Sequence, residues 1–448
     1  MNAKRNDGLP VFAETDVLVA GGGPAGLSAG FAAAKQGART LIIEQFNCLG
    51  GIATAGGHGH VCLYSSWGDR TRVVGGPIYD MGVRCAEIGY GVINNSNADF
   101  EVEGMKLALE MMAEETGVKL LYHTFYCDTI VEDGRAVGAI VQNKNGRGII
   151  KAKRIIDATG DGDAAARAGC DFDIGDEETG LCQPMTLMFT IGGVDYEKVI
   201  AFKKTLGHEN REFQSVWKKA QDAGDMRPFQ SRIMGWWHTP TRPDFVGVNF
   251  THITRVSAID AWDLTRATIE GRKQAYESID VYRKYVPGME NCYMVSTPNV
   301  IGTRESRRIK GKYTITKEDV MGRASFDDSI GYGSFFIDIH NTEGIGMDKK
   351  TWRPDVGFRY QIPYRIMVPK TVDNILVAGR CVSASHEALG SLRVMPQCGV
   401  MGHAAGLAAV LSIKKDVSPA NVDIKELQSS IRSDGGIVDE GDVKRVNG

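Results

Sequence analysis

The stretch Asp16–Gln45 reads DVLVAGGGPAGLSAGFAAAKQGARTLIIEQ and carries the strongest structural signal in the chain. Its apolar run Val17–Ala20 is typical of a buried parallel strand, and its Ala-rich segment Ala25–Gln36 has the composition of a helix. A second apolar run, Thr40–Glu44, ends at an acidic residue. Strand, helix and strand follow one another within about 30 residues, which predicts a βαβ unit.

The glycines between the first strand and the helix follow the dinucleotide fingerprint G-x-G-x-x-G. Gly21 permits the tight turn, Gly23 lets backbone N–H groups approach a pyrophosphate, and Gly26 lets the helix pack closely on the strand. The helix N-terminus adds partial positive charge for the phosphates. Glu44 can accept ribose hydroxyls and would repel a 2′-phosphate, which disfavours NADP here. The fingerprint alone does not separate NAD from FAD.

Two later strands favour FAD. Ile155–Asp163, IIDATGDGD, is an apolar strand that ends in Gly and Asp, and Ile375–Arg380, ILVAGR, is another that leads into a Gly/Ala-rich helix. A single-nicotinamide dehydrogenase needs neither of them. A cofactor that stretches across a whole domain and ends in a tricyclic ring needs both.

Elsewhere the pattern predicts strands at Gly148–Lys151, Arg154–Ala158 and Ser334–Ile339, and a long helix at Asp260–Tyr285 with Asp260 as its N-cap. The α/β character fades after about residue 183, and a Gly-rich α/β character returns after Gly357. The predicted organisation is an α/β, Rossmann-like FAD-binding domain with a parallel sheet (1–183 and 353–448), interrupted by an inserted α+β substrate domain (184–352).

The sequence resembles the FAD-dependent oxidoreductases of the glutathione-reductase-like superfamily. More narrowly, it resembles a bacterial group distantly related to the flavoproteins of fumarate reductase and succinate dehydrogenase. The motifs that carry the resemblance are VLVAGGGPAGLSAG, NCLGGIATAG, IIDATGDGDAAARAG, GTRESRRIKG and NILVAGRCVSASHEALGSLRVMPQCGVMGHAAG. They are specific for FAD and much less specific for substrate.

The resemblance implies the FAD contacts. In chain order they are Gly21, Gly23, Pro24, Ala25 and Gly26 at the pyrophosphate, Glu44 and Gln45 at the adenosine ribose, Gly50, Gly51, Ala53 and Thr54 along the ribityl chain, the backbone near Cys127 at the adenine, Thr159, Gly160 and Asp161 beside the pyrophosphate and adenosine, Gly379 and Arg380 near the pyrophosphate, and Val394 to Cys398 at the flavin pyrimidine. Many relatives carry Asp where this chain has Arg380, and a cation there favours the diphosphate.

His386 and Arg393 are the first candidates for catalysis because they flank the predicted turn SHEALGSLR before the flavin-facing helix. Related fumarate reductases place a His and an Arg in a comparable segment at different spacing. An Arg can polarise a carboxylate or carbonyl, or move a proton. Arg304 is a candidate anion contact, whereas Arg307 and Arg308 are interpreted as structural ion pairs. The alternative is that His386 caps the loop and Arg393 pairs with an acid.

Other side chains near the predicted ring have two interpretations each. His58 and His60 could contact flavin or substrate, and their spacing alone is weak evidence for a metal. Cys48 could attach flavin covalently but is better interpreted as a buried, inert thiol. The third group, Trp236, Trp237 and His238, could form a wall over the ring or part of the core of the insert.

Composition limits the class of protein. The 448 residues allow two or three domains, and the net charge of −3 favours neither nucleic acid nor an anionic membrane surface. The nine cysteines lack CxxC spacing, which argues against a zinc site, a disulfide scaffold and dithiol chemistry. The first 16 residues lack the apolar segment of a signal peptide, and no long apolar run predicts membrane insertion. We expect a cytoplasmic protein.

The leading functional hypothesis is an FAD enzyme that oxidises or reduces a small organic substrate by two-electron (hydride) transfer at flavin N5. One alternative is an NAD(P)H-dependent flavin monooxygenase, against which the segment GRCVSAS counts. The other is a non-enzymatic flavin electron carrier, against which the large insert counts. A second G-x-G-x-x-G is absent from the sequence, so the electron donor or acceptor, whether NAD(P)H or a protein, stays open, as does a homo-oligomer.

Overall fold

A computed structural model describes residues 8–207, 210, 212–233 and 235–448. It shows a mixed α/β architecture built on one large sheet, with a smaller sheet in the middle of the chain. The strands are β1 Val11–Ala20, β2 Thr40–Ile43, β3 His60–Cys62, β4 Gly91–Ile93, β5 Asn97–Phe100, β6 Lys119–Leu121, β7 Phe125–Glu132, β8 Arg135–Asn143, β9 Gly146–Asp157, β10 Phe172–Ile174, β11 Phe189–Gly192, β12 Gly235–Thr239, β13 Arg242–Asn249, β14 Tyr293–Ser296, β15 Arg307–Ile309, β16 Ser329–Gly333, β17 Tyr360–Pro363 and β18 Ile375–Val377.

The α-helices include the 25-residue helix of the insert and two short ones of five and six residues. They are α1 Pro24–Lys35, α2 Pro77–Glu87, α3 Val102–Thr116, α4 Asp163–Ala168, α5 Tyr196–Thr205, α6 Gln214–Asp222, α7 Ala261–Tyr285, α8 Lys317–Met321, α9 His386–Leu392, α10 Met395–Lys414, α11 Ile424–Ser433 and α12 Glu440–Asn447. Short 3₁₀ turns include Gly51–Ala53.

The large sheet has seven strands in the order β6-β2-β1-β9-β8-β7, with β18 also paired to β9. Strands β1, β2, β6, β9 and β18 run parallel, while β7 and β8 form an antiparallel extension. Strands β2 and β18 and the last four residues of β1 are fully buried, as expected for the central strands of such a sheet. The chain therefore leaves β1, β2, β9 and β18 on one side of the sheet, where open α/β sheets bind ligands.

Helices α1 and α10 pack closely because small residues line their contact. A Cβ atom added at Gly402 would lie 2.0 Å from the carbonyl oxygen of Ala25, and one at Gly406 would lie 2.2 Å from that of Ala29. By length and composition α10 is apolar enough to cross a membrane, yet 94% of its most apolar window is buried inside the protein. It serves as a core helix that holds α1 against the sheet.

The insert has an antiparallel sheet in the order β12-β13-β11-β14, covered by α5, α6 and α7. Trp217 is fully buried there and its ring lies 4.6 Å from that of Phe250 and 5.3 Å from that of Tyr282. Asp260 caps α7, since its side chain accepts a hydrogen bond from the Asp263 N–H. The predicted helix and its cap are confirmed.

The apolar clusters of the insert cover a shorter range than the predicted domain, 184–352. They extend from Met185 to Ile301. From Ile309 onward, buried residues such as Ile330 and Ile337 pack into the core of the FAD-binding domain. The boundary at 352 stays a prediction, and the segment from Ile309 to residue 352 packs on the first core.

Three local expectations are corrected. The range Ser334–Ile339 was predicted to be a strand but is not one. It follows β16, and its β-type pairing is limited to an isolated bridge between Ile337 and Trp352. The two strands predicted between 148 and 158 form the single strand β9. The segment expected to be a turn forms α9, whose N-cap Ser385 accepts a hydrogen bond from the Ala388 N–H.

Candidate functional site

A cavity of about 900 Å³ lies between the C-terminal ends of the parallel strands and the sheet of the insert. One end is formed by the glycine turn between β1 and α1 and the loop after β2. The other end is formed by residues of the insert and by the segments 299–304 and 335–340. A single continuous cavity thus connects the dinucleotide fingerprint with the insert.

The N-terminus of α1 opens into this cavity. Gly23 is the N-cap and makes no side-chain cap, and the first intrahelical bond runs from the Leu27 N–H to the Gly23 carbonyl. The Ala25 N–H precedes that bond and lies at the cavity lining, where it could bind a phosphate. A Cβ atom added at Gly23 would have its nearest protein atom 3.9 Å away, at Gly51 Cα. This open space fits a pyrophosphate lying against the turn.

Not every glycine of the fingerprint faces the cavity. A Cβ atom at Gly26 would lie 1.8 Å from the Gly21 carbonyl oxygen, so Gly26 permits helix–strand packing. Most predicted FAD contacts line the cavity, namely Gly21, Gly23, Pro24, Ala25, Glu44, Gln45, Gly51, Thr159, Gly160, Asp161, Gly379, Arg380, Val394 and Cys398. Five predicted contacts lie outside its lining: Gly26, Gly50, Ala53, Thr54 and Cys127. The cavity is lined instead by residues near them in the sequence, namely Ile52, Phe125 and Tyr126.

Glu44 lies at the end of β2, where a ribose would pass. Its carboxylate accepts hydrogen bonds from the backbone N–H groups of Gly22 at 2.7 Å and Phe46 at 3.0 Å. Burial raises the pKa of Glu44, and these backbone bonds oppose that shift. Each carboxylate oxygen retains a lone pair that could accept a ribose hydroxyl.

Arg380 follows β18 and is anchored beside the end of β9. Its Nη1 donates to Asp161 Oδ1 and to Ser306 Oγ, both at 2.8 Å. A Cβ atom at Gly160 would lie 2.8 Å from Arg380 Nη2, so the guanidinium packs directly on that glycine. The cation is held rigidly at the cavity wall, where it could face a diphosphate.

The N-terminus of α10 forms the opposite wall. Its N-cap Val394 makes no side-chain cap, and the first intrahelical bond runs from the Cys398 N–H to the Val394 carbonyl. Both residues line the cavity. The positive end of this helix dipole could stabilise negative charge on a flavin pyrimidine.

A buried cluster of charges lies at the insert end of the cavity. Arg393 Nη2 donates to the carboxylate of Asp338 at 2.8 Å and to its carbonyl oxygen at 3.1 Å, and His340 Nε2 is 3.5 Å from the same carboxylate. Arg304 Nη1 donates to the Pro184 carbonyl at 2.7 Å and to Thr186 Oγ1 at 2.6 Å. Two arginines, one carboxylate and one imidazole thus share the cavity wall.

The pKa values in this cluster follow from burial and mutual repulsion. Burial and the neighbouring charge of Arg393 lower the pKa of Arg304 to about 9. Burial, together with Arg304, lowers the pKa of His340 to about 3, so this imidazole is neutral at pH 7. Burial alone would raise the pKa of Asp338, but His340, Arg393 and Arg304 hold it well below its ordinary value. Asp338 therefore stays ionised.

Histidine and tryptophan rings form a further part of the wall. The His58 ring stacks on Trp237 at 4.6 Å, and His58 Nδ1 is 2.6 Å from the His60 carbonyl oxygen. Burial lowers the pKa of His58 to about 4. His60 Nδ1 is 2.6 Å from Asp99 Oδ1. In the part of the chain that the structure describes, no group of three or more His, Cys, Asp or Glu residues could hold a metal ion.

Both interpretations of the tryptophan pair apply. Trp236 and Trp237 line the cavity. Trp236 also packs against Tyr196 and Phe213 of the insert. His238 does not line the cavity, and its Nε2 is 3.0 Å from the Pro243 carbonyl oxygen.

His386 lies behind the wall instead of on it. It is 1% exposed, and its Nδ1 is 2.9 Å from a carboxylate oxygen of the fully buried Glu305, to which the Gln183 N–H also donates. Burial alone would lower the pKa of His386, but Glu305 raises it. The predicted direct contact with substrate is not supported by this position. Arg393 and Arg304 do line the cavity.

The neighbouring arginines make the structural contacts expected of them. Arg307 pairs with Asp163 at 2.9 Å, and Arg308 pairs with Glu305. Sequence reasoning missed Asp338 and His340. Their spacing of two residues places both on the same side of an extended segment, a signal that the apolar run SFFIDIH contains.

We expect FAD to be bound non-covalently, without a bond to Cys48. Its side chain is 2% exposed, lies outside the cavity lining, and has a pKa raised by burial, all of which disfavour a reactive thiolate. Acid precipitation should release the flavin into the supernatant, and the intact mass should equal that of the polypeptide. A Cys48→Ser variant should be as yellow as the parent, whereas a mass increase of one FAD that is lost in this variant would contradict the expectation.

The fold and the site define a flavin-dependent oxidoreductase: an open parallel sheet whose strand ends, helix N-terminus and ribose-facing acid surround one long cavity. Comparison with known proteins gives the same class. The family model for FAD dependent oxidoreductases matches residues 16–431. The chain belongs to this family, is an enzyme and uses FAD as its cofactor.

Individual relatives match less of the chain. The thiamine thiazole synthase of Methanococcus aeolicus is 30% identical over 181 residues, which are 38% of this chain and 63% of that protein. The thiamine thiazole synthase of Aeropyrum pernix is 32% identical over 159 residues, which are 33% of this chain and 54% of that protein. The match thus spans less than two thirds of either relative.

Solved structures resemble the whole chain at low identity. A geranylgeranyl bacteriochlorophyll reductase-like protein from Thermoplasma acidophilum has 16% identity and a TM-score of 0.49, covering 95% of this chain and 84% of that one. L-proline dehydrogenase from P. horikoshii has 12% identity and a TM-score of 0.41, covering 95% of this chain and 99% of that one. These two similarities give no information on the substrate of this enzyme.

Proposed function

We propose that this enzyme transfers two electrons, as a hydride, between FAD and a small organic substrate that enters the cavity from the insert side. The observation that carries the proposal is the continuous cavity, which joins the N-termini of α1 and α10 to the buried arginines Arg304 and Arg393. Its volume of about 900 Å³ is at the upper end of the range of ligand pockets, ~300–1,000 Å³.

Residues at different places in the cavity would bind the cofactor and shield the substrate. The N–H groups at the N-terminus of α1, together with Glu44 and Arg380, would hold the pyrophosphate and ribose of FAD. When bound, FAD accepts or donates the hydride at its N5 atom. Trp237 and Phe336 would exclude water from the substrate.

The two arginines at the insert end would position and polarise the substrate. The pKa of Arg304 is lowered to about 9, closer to neutral pH than that of an ordinary arginine. Arg304 still carries its positive charge at pH 7, so Arg304 and Arg393 could orient the substrate and stabilise negative charge that develops on it. The similarity to thiamine thiazole synthases covers 33–38% of this chain, so that activity is not part of the proposal.

Anaerobic reduction of the FAD-loaded enzyme tests this function. We expect the flavin bands to bleach when a small organic substrate or NAD(P)H is added, and the reduced enzyme to be reoxidised by an organic acceptor. Hydroxylation of an organic compound, with matching consumption of oxygen and NAD(P)H, would show the monooxygenase instead. Exchange of electrons with a protein partner and with no small molecule would show a carrier.

A further inference from the structure

The insert end of the cavity carries more positive than negative charge. Arg304 and Arg393 both line it, and Asp338 is hydrogen-bonded to Arg393. Arg304 makes no ion pair with any residue that the structure describes, and its two hydrogen bonds go to neutral oxygens. Because His340 and His58 are neutral at pH 7, they do not change this balance.

Apart from Glu44 at the opposite, ribose-facing end, the other acids that line the cavity are paired with arginines of their own. Asp161 pairs with Arg380, and Asp163 pairs with Arg307. Glu212 likewise pairs with Arg232. Buried charges in proteins are normally paired, so the unbalanced cation at the insert end indicates an anionic ligand.

The hydrogen-bond donors at this end are also incompletely used. Arg393 Nη2 is bonded to Asp338, but Arg393 Nε is buried and has no partner among the described residues. A guanidinium presents five N–H donors in a planar fork that matches a carboxylate. The side chain of Arg393 is 11% exposed and lines the cavity, so part of its guanidinium faces the cavity.

Apolar side chains form part of the remaining wall, next to polar residues such as Asn249 and Arg353. Phe336 is 8% exposed and comes from the same segment as Asp338, and its ring lies 4.6 Å from that of Phe335. Trp237 and Met188 also line the cavity. An inorganic anion would leave these surfaces wet, whereas an organic anion with an apolar body would cover them.

We propose that Arg393 and Arg304 bind the carboxylate of an organic acid whose apolar body rests on Phe336 and Trp237. Asp338 holds Arg393 in place and leaves the other edge of the guanidinium for the ligand. Arg304, fixed by Pro184 and Thr186, supplies the second positive charge. The proposal rests on the proposed function, because the acid would be the substrate that meets the flavin.

Binding to the oxidised, FAD-loaded enzyme tests the site without turnover. The probe is benzoate, and its neutral counterpart benzamide is the matched control ligand. Calorimetry and the shift of the flavin absorption bands report binding. We expect benzoate to bind at least about tenfold more tightly than benzamide, because only the anion can accept two charge-assisted hydrogen bonds.

Variants separate the arginine site from general effects. Arg393→Gln is expected to weaken benzoate binding about tenfold or more and to leave benzamide binding unchanged, and Arg393→Lys should retain part of the affinity. Arg304→Lys should weaken benzoate less than Arg393→Gln does. Arg255→Gln is the control, because Arg255 is exposed, pairs with Glu343 and lies outside the cavity lining.

Two results would overturn the carboxylate site: equal affinity for benzoate and benzamide, or benzoate binding that Arg393→Gln does not change. In the second case a shifted flavin reduction potential would show that Arg393 serves the reduced cofactor instead. Failure of the proposed function is distinguishable from both results, because it would appear as a protein that does not bind FAD or whose bound flavin exchanges no electrons with small molecules.

Discussion

Gly23→Val is expected to abolish FAD binding and to leave the apoprotein folded. Gly23 has φ −68° and ψ −173°, a backbone conformation that valine adopts without strain. The added Cβ would meet no protein atom closer than 3.9 Å, because it points into the cavity. The branched side chain would occupy the place of the pyrophosphate and cost at least about a hundredfold in affinity.

The contrasting variant is Gly26→Ala. Its Cβ would lie 1.8 Å from the Gly21 carbonyl oxygen, so this change should lower the stability of the fold itself. Thermal unfolding with and without added FAD separates the two effects: Gly23→Val should lose only the stabilisation that FAD provides. Undiminished FAD binding by Gly23→Val would show that the pyrophosphate does not lie at this turn.

Gly402→Val is expected to destabilise the protein by at least about 3 kcal/mol, because overpacking here cannot be relieved by side-chain movement. The added Cβ would lie 2.0 Å from the carbonyl oxygen of Ala25 and 2.8 Å from its Cα, and both are backbone atoms. Helix α10 would have to move away from α1. The N-terminus of α1 would then shift relative to the strand ends, so FAD affinity should fall as well.

Urea unfolding of the variant and the parent measures the loss. Gly441→Ala is the matched control, because Gly441 is exposed near the start of α12 and an alanine there meets only the side chain of Asp439, at 3.1 Å. A Gly to Ala change in a helix normally stabilises slightly, so the two variants should differ in sign. An unfolding midpoint unchanged by Gly402→Val would contradict the packing of α1 on α10.

The FAD-binding half of the site was predictable because its signals are local. The turn from Gly21 to Gly26, the acid at the end of β2 and the glycine after β18 each lie next to a strand whose composition identifies it. The Rossmann-like sheet with parallel strands is confirmed by the structure. The membership of the FAD dependent oxidoreductase family is likewise confirmed.

The substrate half was less predictable because it is assembled from distant segments. Arg304, Asp338 and Arg393 come from three separate parts of the chain, and no short-range pattern brings them together. His386 has the residue type of a catalytic base, but its imidazole is hydrogen-bonded to Glu305, 81 positions away in the sequence. This contact holds it behind the cavity wall.

Anaerobic titration of the apoprotein with FAD, followed by the visible spectrum and by calorimetry, measures whether the cavity holds the cofactor. We expect saturation at one FAD per chain, a shifted flavin spectrum, and no saturable binding by Gly23→Val. Parent protein that shows no flavin bands when purified and no binding when FAD is added would contradict the assignment of this cavity to FAD.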